Sequence, residues 1–399
     1  MMLMIFCFCQ VVAAGITTAS TLPFNYTGYN RFPSFYFGAS PGPQSSTELD
    51  LVRRFALTGW GWQQGYQSNN GHHGELAGSS AASALRAIAP VGSINSPDFT
   101  FVYRQSESLF TYYDLMANVT FNSTLLYAAE LHDPISGKLC GGGGLLSFSN
   151  STFVDYWSNI VGEEIATAET FVNAVFLDGF DKLYAGNTLS SQGCPSFNST
   201  LTATALLDKV TATAAFTRVL NNAGKVVIIS TYNFIKSAAN GFENYSGILS
   251  EMNGIYEDDY ITRLNGTFWI RFYEVWLGHG ADQDAVMISN AILETSLGIP
   301  FIARSVVGSV HTLEYPAIGF LIAQGDFCYW GASSGWLDPD WKWIGIDDWI
   351  VGHPLSAANR TSAYVWSRAF EHANATIDVH AGRATLSMSN SQTIIAMRE

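Results

Sequence analysis

The segment NAVFLDGFDKLY, residues 173–184, runs an apolar stretch directly into Asp178, Gly179 and a second carboxylate, Asp181. Burying charge is unfavourable unless the charge is paired or used. A carboxylate that closes one of the most apolar runs of the chain is therefore a candidate for chemistry. A second acidic closure occurs in GIYEDDY, residues 254–260, where Glu257, Asp258 and Asp259 end another apolar run. Alternate side chains of an extended segment share a face. If Ile255 faces a barrel interior, Glu257 does too; if Tyr256 does, Asp258 takes its place, and Glu257 is favoured. Hydrolysis of a glycosidic bond needs two carboxyl groups flanking the anomeric carbon, and two such closures are what this chain offers.

Other polar and aromatic residues close neighbouring apolar runs: Trp60, Trp62 and Gln63, then Tyr103 and Arg104, then Arg304, then Tyr329 and Trp330. Exposed aromatic rings provide flat apolar faces on which sugar rings stack. Trp62 and Trp330 are expected to act in this way, and Arg104 to hold hydroxyls or an acidic substituent. Each feature alone has a plainer reading. Asp178-Gly179 is also turn chemistry, the acidic triplet is also a solvated loop or helix cap, alternating Trp60 and Trp62 are also core, and the arginines are also structural ion-pair partners. The convergence of two carboxylate closures is what outweighs these. Other catalytic patterns fail. GASPG (38–42) and GASSG (331–335) match a nucleophile elbow, but Pro41 has no N–H to offer an oxyanion and the second is followed by no helix pattern. His72 and His73 lack a metal-ligand spacing, and the GGGG run at 141–144 lacks the Lys-Ser/Thr of a phosphate loop. No metal or organic cofactor is implied.

The elements that must position these residues alternate in type. Strand-like runs at 34–40, 58–62, 99–105, 174–179, 225–231, 254–259, 300–305 and 326–332 are separated by amphipathic or apolar helical patterns, several capped by Ser, Thr or Asp. DAVMISNAILETSLG is read as a helix because the strand after it needs one. Eight strand–helix units predict an α/β fold, a (β/α)8 TIM barrel, whose active site is built at the C-terminal ends of the strands. Residues 34–335 are assigned to the barrel and 336–399, with short alternating runs, to a small antiparallel β extension. With 399 residues and a net charge of −14, the chain is long enough for one large core and too acidic for nucleic acid or an anionic membrane surface.

Residues 1–14 have the shape of a secretory signal peptide, with a signal anchor as the alternative, and 15–33 form a leader before the barrel. Sequons at Asn25, Asn118, Asn122, Asn150, Asn198, Asn244, Asn265, Asn359 and Asn374 suit a secreted glycoprotein. Cys140 and Cys194 lie in loops and could pair; Cys328, in an apolar run, is expected to be a buried free thiol.

Taken together, FYFGAS, GWGWQ, LLSFSNSTFVDYWSNIV, AVFLDGFDKLY, GIYEDDY, GDFCYWGASSGW and VGHPLSAANRTSAYVWSRAFEHANATIDV resemble a family of glycoside-hydrolase-like barrels related to the α-galactosidase superfamily, across roughly residues 34–385. The resemblance implies a nucleophilic aspartate at the end of strand four, which Asp178 matches. It also implies an acid/base carboxylate at the end of strand six, which falls on Glu257 or Asp258. The expectation is a secreted, retaining glycoside hydrolase acting on a polysaccharide or glycan, with no membrane contact after signal cleavage and no need for more than a monomer. A non-catalytic barrel that holds carbohydrate is the alternative.

Overall fold

The computed structural model describes residues 26–38 (27 apart), 44–61, 74–90, 96–106, 119, 122–132, 135–140, 146–168, 171–178, 199–230, 267–307, 313–337, 340–389 and 392–398. Eight strands, β1 (Phe35–Gly38), β2 (Leu57–Trp60), β3 (Phe99–Gln105), β4 (Ala174–Asp178), β5 (Val226–Ser230), β6 (Trp269–Tyr273), β7 (Phe301–Val306) and β8 (Tyr329–Ser333), form one parallel sheet in sequential order. Cross-strand register puts Phe35 beside Leu57, Phe101 beside Ala174, Ile228 beside Ile270, Phe272 beside Ile302 and Ile302 beside Tyr329. That row and its alternates face inward, because their rings meet between strands that are not neighbours. Phe37 of β1 lies 4.9 Å from Phe176 of β4, and Phe35 of β1 lies 5.7 Å from Phe272 of β6. The sheet is a TIM barrel with an aromatic interior, and Gly59 on β2 leaves the space that the Phe101 ring occupies.

Helices cover the outside: α1 (Ser46–Val52), α2 (Gly74–Ile88), α3 (Ser123–Ala129), α4 (Ser151–Asp155), α5 (Gly162–Ala168), α6 (Ser199–Asn222), α7 (Ala281–Ser296) and α8 (Glu314–Ala323). Local chemistry starts several of them. Ser45 and Glu48 form a reciprocal capping box on α1, and the side-chain oxygens of Asn122 and Asn150 accept N–H groups at the starts of α3 and α4. Residues 281–296 are the helix their pattern implied. A wide turn, Tyr156–Val161, joins α4 to α5 and presents Trp157 to Phe216 of α6, 4.4 Å away. No helix of the described residues is long and apolar enough to cross a membrane.

The sixth strand corrects the sequence reading. It is Trp269–Tyr273, not 254–259, which lie outside the described residues. Arg271 interrupts its apolar pattern, yet points outward and pairs with Glu294 of α7. Cys140 is disulfide-bonded to a partner outside the described residues. Cys328 is buried and free, and burial pushes its thiol up to about 12.

Closure between β1 and β8 is brief. Ser34 bridges Trp330, and the Trp330 amide donates to Pro33 O at 2.9 Å. Above that point Trp341 folds back beside Ser333 and wedges against Phe35, 5.2 Å away, in space that only glycine at 331 permits. A 3-10 turn, Gly345–Asp348, then leads to an antiparallel sheet of β9 (Asn359–Ser362), β10 (Val365–Ala369), β11 (Ala373–Asp378), β12 (Arg383–Met388) and β13 (Thr393–Met397). Its inner side chains, among them Trp366, Ile377 and Leu386, share a core with α8, which explains why EYPAIGFLIA is apolar on all sides: it is covered on both.

Two measurements check this architecture. Gly59→Ala forces a methyl into the Phe101 ring, so urea unfolding is expected to show a loss of about 1–3 kcal/mol. Asp347, in the 3-10 turn, is raised from 3.8 to about 7, first by burial and also by Asp348, against the Ile344 amide and Arg54. A raised carboxyl binds more protons in the folded than in the unfolded chain, so its contribution is present at low pH and lost as pH rises through about 7. Asp347→Asn abolishes that loss. Relative to the wild type, the variant should gain stability between about pH 4 and pH 7 in urea titrations and level off above.

Candidate active site

Inside the barrel the polar residues gather at one end. Continuing the inward rows to the C-terminal ends of the strands reaches Tyr103 on β3, Asp178 on β4, Ser230 on β5, Arg304 on β7 and Ser333 on β8. One residue past β6, the same alternation that turns Ile270 and Phe272 inward brings Glu274 to the mouth. Asp178, which ends β4, and Glu274, one residue past β6, thus flank β5.

Asp178 is half-buried and tightly held. Its Oδ2 accepts the Tyr103 hydroxyl at 2.7 Å, while its backbone oxygen accepts the Ser106 amide at 2.9 Å and the Ser106 hydroxyl at 2.7 Å. Tyr103 is itself stacked near-parallel to Phe176 and Phe37. A rigid phenol donating to one carboxylate oxygen fixes the rotamer of the side chain.

Across the mouth, Arg304 is buried. Its Nε donates to Ser333 Oγ at 2.8 Å, its Nη1 to Glu274 O at 3.3 Å and its Nη2 to Gly335 O at 3.2 Å. Burial lowers its pKa, and the charges of Glu274 and Asp340 oppose that shift. The guanidinium lies 4.0 Å from the centre of the Trp336 ring. Trp336 is partly exposed and rests edge-on against Phe37, closing the aromatic interior from above.

Several residues chosen from the sequence lie elsewhere. Trp60, Arg104 and Trp330 occupy the outward rows and are buried against the helices; Arg104 donates to its neighbour's carbonyl, Tyr103 O, and Trp330 Nε1 to Ser305 Oγ. Tyr329 faces inward but begins β8, so it sits at the opposite end of the barrel, where its hydroxyl donates to Asp98. Trp62, Gln63, Asp181, Glu257 and Asp258 lie outside the described residues. Asp178 and Arg304 are brought together at the mouth. Glu274 and Trp336 were missed, although FWIRFYE and YWGASSGW carry the same signal as AVFLD, an apolar strand closing on a polar or aromatic residue.

A parallel barrel with paired carboxylates at its C-terminal mouth is the architecture of many glycoside hydrolases. The sequence profile of hypothetical glycosyl hydrolase family 15 matches residues 132–374, more than half of the chain, and the protein belongs to that family. No curated protein matches it. Among solved structures it is similar to a modular endo-beta-1,4-mannanase from Cellulomonas fimi, of glycoside hydrolase family 26, with 11% identity over 92% of this chain and 94% of that one and a TM-score of 0.38.

The Tyr103–Asp178 bond gives a direct test. Tyr103→Phe keeps the stacked ring and removes a hydrogen bond to a charged group, so urea unfolding near neutral pH should show a loss of about 1.5–3 kcal/mol. Asp178→Asn can still accept from Tyr103 and should lose less in the same measurement.

Proposed function

We propose that the protein is a secreted, retaining glycoside hydrolase in which Asp178 is the nucleophile and Glu274 the acid/base. The observation that carries the reading is that the inward rows of β4 and β6 both close on a carboxylate at the same mouth. This takes over the role first assigned to Glu257 or Asp258, because the sixth strand ends at Tyr273. A nucleophile on strand four and an acid/base after strand six is also what kinship with the α-galactosidase superfamily would bring.

In the first step an Asp178 oxygen bonds to the anomeric carbon while the bond to the leaving oxygen breaks and Glu274 gives that oxygen its proton. In the second, water attacks the anomeric carbon, Glu274 takes a proton from it, and Asp178 leaves. The sugar keeps its configuration, which requires the carboxyl groups to stand about 5–5.5 Å apart when substrate is bound. Trp336 offers the partly exposed ring on which the sugar can stack, in the role first given to Trp62 and Trp330. Secretion is supported by the disulfide at Cys140 and by the exposed sequons Asn122, Asn150, Asn359 and Asn374. The cap bonds of Asn122 and Asn150 use the side-chain oxygen and leave the nitrogen for a glycan.

One observation favours a carbohydrate-binding barrel without turnover: the buried Arg304 guanidinium donates to Glu274 O and interacts with the charge of Glu274, as a structural ion-pair partner would. Hydrolysis of a panel of α- and β-linked oligosaccharides, with sugar binding followed in parallel, separates the two. The hydrolase reading expects turnover by the wild type, about 10²–10⁴-fold less with Glu274→Gln, and loss of turnover with retained binding in Asp178→Asn. Proton NMR of the first product should show the anomer of the substrate. Binding with no turnover of any member would establish the binding barrel instead.

A further inference from the structure

The turn that follows Glu274 is held in a conformation that the backbone does not favour. Leu277 has φ of 57°, Gly278 of 96° and Gly280 of 110°. Leucine rarely adopts positive φ, and such residues persist where surrounding contacts over-determine them. Those contacts are present. The Trp276 amide donates to Arg304 O at 2.7 Å and its indole to Pro316 O at 2.9 Å, while Leu277 packs where α8 carries Gly319 and no larger side chain would fit. Two further amides of the turn converge on one side chain. Asp284, in the first turn of α7 and fully buried, accepts Gly278 N at 2.9 Å and His279 N at 3.0 Å on Oδ1.

The other oxygen of Asp284 faces the C-terminal sheet. Arg398, the residue after β13, places Nη1 3.3 Å from Oδ2, and the Tyr315 hydroxyl lies 3.5 Å from the same atom. A second contact from that sheet, Tyr364 OH to Asp282 Oδ1 at 2.8 Å, grips the same helical turn. A buried ion pair adds little net stability but is costly to break, and in this way it can specify one arrangement. Here the arrangement specified is that of the segment carrying Glu274.

We propose that Asp284 is a positioning residue for Glu274, and that Arg398 makes the C-terminal sheet part of the device. The inference rests on the acid/base role given to Glu274 above. Asp284 never touches substrate; it fixes the backbone from which Glu274 projects, and proton transfer to a leaving group demands that placement to within a fraction of an ångström.

The test uses the methyl and 2,4-dinitrophenyl glycosides of the sugar that the wild type releases from the oligosaccharide panel. Dinitrophenolate departs without a proton, so kcat/KM for that substrate does not depend on the acid, whereas kcat/KM for the methyl glycoside does. Asp284→Asn is expected to lower kcat/KM about 10- to 100-fold on the methyl glycoside and to leave the dinitrophenyl glycoside within about threefold. Equal losses on both substrates, or a folded variant indistinguishable from wild type, would overturn the proposal. If Asp284→Asn does not fold, Arg398→Gln carries the test, with the same discrimination expected at smaller size and its absence counting against the proposal. Glu274→Gln run in parallel should discriminate most strongly. If it does not, or if the wild type hydrolyses no member of the panel, the acid/base reading itself fails, whatever the Asp284 variant does.

Discussion

The barrel works as a platform because its interior is filled with aromatic rings. Phe35, Phe101, Phe176 and Phe272 are buried and meet across the axis below the mouth. In such a medium a carboxylate is tolerated only where solvent or a hydrogen-bond donor reaches it. Asp178 stands one inward position above Phe176, at the first level where both conditions are met. The Tyr103 ring belongs to the apolar stack and its hydroxyl to the polar layer, so the residue that fixes the carboxylate is anchored by the core itself.

The last third of the chain completes what the first strands leave open. Among the described residues β1 and β8 meet through the Ser34–Trp330 bridge and the Trp330–Pro33 bond, and Trp341 packs above that point with Trp336 as a roof. Arg304 ties that roof to the turn after β6. Residues beyond β8 are therefore structural members of the mouth, and the sheet after them shares a core with α8.

The sequence revealed repeats more readily than faces. Seven strands were legible because short runs rich in apolar and aromatic residues alternate with helical patterns along the chain, and Asp178 was legible because it ends one of the most apolar of them. The sixth strand was not: Arg271 breaks its pattern, and the ion pair that accommodates the charge comes from Glu294, on a helix more than 20 residues away. GIYEDDY resembled a strand more closely than the real one did. Facing was harder still. An apolar run does not say which of its rows points inward, so Trp330 and Tyr329 were equally plausible at the mouth until Gly331, pressed against Phe35, showed which row faces in and the start of β8 showed which end Tyr329 occupies. Trp336 stood one turn beyond the strand in which aromatic residues were sought.

The C-terminal sheet ends differently on its two sides. β9 reads Asn-Arg-Thr-Ser, short, polar and wholly exposed, with a sequon at Asn359. Such an edge discourages another chain from adding to it. β13 exposes Ile395 and Met397, and among the described residues no strand pairs with its outer side. Aggregation through this sheet thus has a preferred direction. Because β13 leads straight into Arg398, a foreign strand recruited there would lie beside the residue that pairs with Asp284.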